Sequence, residues 1–78
     1  MIRVYADFNC QDEDGRVKLD VPGSRKDLDS HRDELRDGMK VILYVPDELD
    51  VEATLVFDEI WLAIPDYATL RYDSPGME

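Results

Sequence analysis

The sequence predicts an all-β domain over residues 1–78: a single small antiparallel barrel or rolled sheet of five to six strands. Three observations carry this expectation. Apolar residues recur with a period of two in several separate runs, the runs are rich in β-branched and aromatic side chains, and Gly, Pro and Asp punctuate them at short intervals.

Ile2, Val4, Ala6 and Phe8 alternate with Arg3, Tyr5 and Asp7, which reads as a half-buried strand. Gln11–Gly15 is a turn containing the favoured hairpin dipeptide Asp14-Gly15. Alternation resumes over Arg16–Val21, with Val17, Leu19 and Val21 inward. A two-residue Asp14-Gly15 turn sets Phe8 opposite Val21 and Cys10 opposite Leu19, so the expectation is an antiparallel hairpin. Pro22-Gly23 then breaks the strand. Within Ser24–Asp37, only Leu28, His31 and Leu35 share a helical stripe, and like charges recur at four-residue spacing. A short helical turn near 24–30 is expected, with Ser24 and Asp27 in a capping arrangement, then an irregular stretch pinned by Leu35.

The stretch Gly38–Pro65 holds three strand-like runs, Val41–Val45, Val51–Phe57 and Ile60–Ile64. Alternation assigns Val41, Leu43 and Val45, then Val51, Ala53, Leu55 and Phe57, then Ile60, Leu62 and Ile64 to the core face. The loop Pro46–Asp50 closes one hairpin and Asp58-Glu59 the next. The second hairpin is expected to pair Phe57 with Ile60, Leu55 with Leu62, and Val56 with Trp61. After Pro65, residues 66–70 read as a 3₁₀ turn, Leu70–Tyr72 as a last strand, and Ser74–Glu78 as a frayed tail.

The order of these elements resembles an SH3-like small β-barrel: a hairpin, a long excursion, the run ELRDGMKVILY, a tight meander, one turn and a terminal strand. The resemblance implies a binding module whose relatives engage peptides, nucleic acids or other proteins. The excursion DLDSHRDEL lacks the clustered aromatics with which SH3 domains bind proline-rich peptides.

Nineteen acidic and nine basic residues leave a formal net charge of −10. Such a field repels phosphate and anionic membranes, so neither nucleic acid nor membrane is an expected partner, whereas a basic protein is. With no leader-like segment, no apolar run long enough to span a bilayer, and Cys10 the only cysteine, a cytoplasmic location is expected. Asp12-Glu13-Asp14-Gly15 resembles a fragment of a calcium loop but lacks the closing glutamate. The sole histidine, His31, and Cys10 fall on different elements, so no metal site or cofactor is expected. Cys10 reads as a small buried hydrophobe without an activating base. No catalytic constellation emerges, and the chain is not expected to be an enzyme.

One feature departs from an ordinary half-exposed sheet. Ile42, Tyr44, Val56 and Trp61 are assigned to the face that should be polar. They are the expected protein-binding residues, either for a basic protein partner or for self-association into a homodimer. The alternative is a second packed layer covered by Leu28, Leu35, Tyr67 and Leu70. Exposed aromatic patches are uncommon on monomers, which slightly favours the packed layer, while Trp and Tyr are enriched at interface hot spots, which speaks for binding. The charge makes a direct prediction: duplex DNA or RNA should show no gel-shift retention at roughly physiological salt. Retention that weakens with salt in the usual way would contradict it.

Overall fold

The computed structural model describes residues 1–72. Its elements are β1 (Arg3–Tyr5), β2 (Val17–Lys18), α1 (Pro22–Ser30), β3 (Lys40–Val45), β4 (Leu49–Asp58), β5 (Ile60–Pro65), a 3₁₀ turn (Tyr67–Thr69) and β6 (Arg71–Tyr72). They form one curled, six-stranded half-barrel in the order β1-β3-β4-β5-β2, with β6 also on β4. The expected tail at Ser74–Glu78 lies outside the described residues.

The sheet is mixed rather than purely antiparallel, because β1 runs parallel to β3, with Tyr5 beside Tyr44. The expected first hairpin therefore does not form across its length: β1 and β2 stand at opposite ends of the sheet. The cause is local. The Asp7 carboxylate accepts the Asn9 amide and the Asp7 carbonyl accepts the Cys10 amide, a side-chain-stabilised turn that ends the strand early. What remains of the hairpin is its tip. Asp12 and Arg16 pair around Glu13-Asp14-Gly15, with Gly15 at φ +80°, so the loop holds three residues instead of two. Cys10 consequently pairs with Lys18, not Leu19, and is only half-buried. Asp12 binds this loop to Arg16 by a 2.6 Å ion pair.

Helix α1 begins at Pro22, whose missing amide is harmless in a first turn. Ser24 is not a cap. It lies fully buried inside the helix, and its hydroxyl donates to the Tyr5 carbonyl. One turn later, Asp27 Oδ2 accepts the Tyr5 amide at 2.9 Å and the Tyr44 hydroxyl at 2.9 Å. Gly23, Ser24, Asp27 and Leu28 thus form one helix face laid along the free edge of β1. The helix stops at Ser30, and Leu35 packs on the core from the irregular stretch beyond.

The core consists of Val4 and Ala6, Val17 and Leu19, Leu28, Val41 and Leu43, and Val51, Ala53 and Leu55, joined by Ala63. The core-face alternation of β3 and most of β4 agrees with the sequence expectation. That of β5 does not, although Leu62, expected inward, is buried. Its register is shifted by one, setting Phe57 opposite Trp61, Val56 opposite Leu62 and Leu55 opposite Ala63. The turn leaves only Glu59, at φ +66°, between the paired residues Asp58 and Ile60. A one-residue slip moves every side chain to the other face. Ala63 now sits between Leu55 and Val17, where its small side chain lets the sheet curl, and Ile64 turns outward.

The helix approaches β1 so closely that Gly23 has no space for a side chain. A methyl there would lie 2.8 Å from Tyr5 Cδ2. Gly23→Ala should destabilise the fold by about 1–2 kcal/mol in thermal or denaturant unfolding, since overpacking outweighs the gain in helix propensity. A stabilised variant would contradict this packing.

Candidate functional site

The register of β4 and β5 creates the most distinctive surface. Phe57 and Trp61, directly opposite one another, meet edge-to-face with ring centroids 4.9 Å apart and planes at 65°. Trp61 rests on the core and is half-buried, whereas Phe57 is 53% exposed. Phe57 lies beyond the last fully buried position of β4, Leu55, where the sheet extends past its own core. Its amide is held by Asp37 Oδ1 at 2.8 Å, and the Leu19 amide donates to the Trp61 carbonyl at 3.0 Å.

Together these residues form one wall of an open groove of about 540 Å³, with α1 and Leu35 forming the other. Its apolar lining comes from Leu19, Leu28, Leu35, Phe57, Ile60 and Trp61. The charges differ between the two sides. The helix side carries Arg25, Asp29 and, just outside α1, Asp20 and Arg32, the last 3.9 Å from Asp29 in an exposed pair, while the hairpin tip offers Glu59. Asp58 flanks Phe57 and shares Arg16, at 3.6 Å, with Asp12. An apolar floor with separated charged rims suits recognition of a side-chain surface.

The structure divides the four expected site residues. Trp61 belongs to this groove, on the core side of the sheet. Val56 lies on the reverse side of β4, opposite Leu62. Ile42 and Tyr44 also face that reverse side, on β3, and Tyr44 is engaged there. Its hydroxyl binds Asp27, the edge of Tyr5 packs on it at 6.1 Å, and the Arg3 guanidinium lies 4.9 Å over its ring. Arg3 in turn pairs with Asp50 at 3.2 Å. Phe57, Ile60, Leu28 and Arg25 were not assigned to a site from sequence. Phe57 and Ile60 enter the groove through the one-residue slip, for which the short, acidic Asp58-Glu59 turn is a weak local signal, whereas Leu28 and Arg25 enter it through the long-range docking of α1.

Among the described residues, no cluster of three or more His, Cys, Asp or Glu side chains is arranged to hold a metal ion. His31 Nδ1 instead meets Glu34 at 3.1 Å. Partial burial, together with the neighbouring Asp7 carboxylate, raises the Cys10 thiol pKa and so reduces its thiolate fraction. No helix among those residues is long and apolar enough to cross a membrane. Comparison with protein families, curated proteins and solved structures yields no match, so the groove is interpreted from this chain's own residues.

The Tyr44–Asp27 contact has a measurable signature. The hydrogen bond to Asp27, reinforced by burial, raises the Tyr44 pKa above the ordinary phenol value. A raised folded-state pKa contributes stability that is fully present below about pH 10 and is lost as pH rises through the folded value. In an alkaline titration followed by phenolate absorbance, one of the four tyrosines should ionise late, and Tyr44→Phe should remove that phase. Simultaneous titration of all four tyrosines would contradict the contact.

Proposed function

We propose that this chain is a small acidic protein-interaction module, not an enzyme, and that it binds a basic protein partner through the groove between α1 and the β4–β5 hairpin. The exposed Phe57 ring stacked against Trp61 is the observation that carries this reading. Aromatic anchors beside an apolar floor are typical centres of binding energy. The net charge of −10 favours a cationic partner and opposes a second copy of the same chain. Trp61 keeps the role expected from sequence, whereas Val56, Tyr44 and Ile42 lie outside the groove.

The test compares the wild-type chain with Phe57→Ala in affinity capture from the native lysate at low and moderate salt. Because Phe57 is more than half exposed, its removal should change stability by about 1 kcal/mol or less. An identified basic protein should be retained by the wild type, lost from Phe57→Ala, and retained more weakly as salt rises, because screening at about 0.15 M acts over roughly 8 Å. Partners retained equally by both chains would place the interface elsewhere. Loss of binding accompanied by unfolding would show that Phe57 is structural.

A further inference from the structure

We infer that the segment occupying the groove is an amphipathic α-helix whose apolar stripe covers Phe57, Ile60 and Trp61 and whose cationic edge lies against the hairpin tip. This inference rests on the reading of the groove as a protein-binding site and adds the form and orientation of the bound segment.

A segment entering an apolar groove must satisfy its own amides and carbonyls or find partners for them in the wall. Here several backbone groups of the wall's strands are already engaged. The Trp61 carbonyl accepts Leu19, the Phe57 amide donates to Asp37, and Leu55 exchanges hydrogen bonds with Gly38 and Met39. On the opposite side, α1 pairs its main chain internally. An extended peptide therefore finds no continuous strand-addition ladder along this groove, whereas a helix arrives with its backbone bonds satisfied and offers only side chains.

Charge sets the orientation. At the tip, Glu59 lines the groove and Asp58 and Asp37 lie beside Phe57, with Arg16 offsetting Asp58 in part. Across the groove, Arg25 on the helix and Arg32 just beyond it are offset by Asp20 and Asp29, so that side is close to neutral while the tip is acidic. A bound helix with lysine or arginine along one edge is therefore better matched with that edge toward the tip.

The experiment uses Trp61, the only tryptophan, as the reporter. Its emission is titrated with a peptide of about four helical turns carrying leucines at i, i+3, i+4 and i+7 and lysines along one flank. Two controls replace the lysines by glutamates or interrupt the helix with central prolines. Saturable binding of the lysine peptide alone is expected, weakened about tenfold by Phe57→Ala, as for loss of one anchor, and similarly by Glu59→Lys. Arg25→Glu, which makes the groove more acidic, should strengthen binding, and weaker binding would overturn the orientation.

Equal binding of the proline-interrupted peptide would overturn the helical occupant while leaving the interaction reading intact. Equal or tighter binding of the glutamate peptide would overturn both the orientation and the basic partner. Sedimentation showing the protein alone to be dimeric at micromolar concentration would make a second copy the occupant and overturn the proposal. No emission change with any peptide would also overturn it, and the capture experiment would then decide the broader reading.

Discussion

A curled sheet that does not close on itself has two ends, and each end leaves main-chain groups without a partner. At the β1 end, the amide and carbonyl of Tyr5 point away from β3. Both are taken up by α1, the amide by Asp27 and the carbonyl by the buried hydroxyl of Ser24. Unpaired groups at this depth would each cost about 1–3 kcal/mol, a large part of the margin available to a chain of this size. The same Asp27 oxygen also accepts the Tyr44 hydroxyl, so one carboxylate ties the helix to both β1 and β3. The helix thus stands where a closed barrel would place another strand.

The groove follows from that arrangement. α1 is drawn against β1 at its Gly23–Ser24–Asp27 face, and Leu28 reaches the core from the same side. Arg25 and Asp29 on the helix, with Arg32 just beyond it, then face the tip of the β4–β5 hairpin across open space. The hairpin extends beyond the core because β4 is ten residues long and pairs with β3 only as far as Thr54. Phe57 and Trp61 sit on that extension. The helix that covers the β1 edge thus leaves the aromatic pair of the β4–β5 hairpin uncovered across the groove.

Much of this architecture was legible in the sequence. The alternation of Val41–Val45 and Val51–Leu55 identified two central strands and their buried face. Helical residues near 24–30, a 3₁₀ turn after Pro65 and a short last strand were also legible. Register and pairing were not. The Ile2–Phe8 alternation continues past the point where Asp7 and Asn9 turn the chain, so the pattern suggested a hairpin where β1 instead joins β3 in parallel. In β5, Ile60, Trp61, Leu62 and Ile64 are all large and apolar, so either phase gives an apolar face. Leu62 and Ala63 are both buried, and what sets the phase is Ala63 standing between Leu55 and Val17, a small residue that carries little weight in a hydrophobic pattern. The slip separated Trp61 from Val56, Tyr44 and Ile42, so one of the four expected site residues belongs to the groove. Ser24 and Asp27 were read as helix-capping residues because their contacts with Tyr5 are long-range and leave no local trace.

If α1 completes the sheet edge through Asp27, amide hydrogen exchange should show it at Tyr5. The Tyr5 amide should be protected comparably to those of Ile42 and Ala6, which pair within the β1–β3 ladder, and should lose that protection first in Asp27→Ala. A Tyr5 amide that exchanges at an unprotected rate in the wild-type protein while Ile42 remains protected would contradict it.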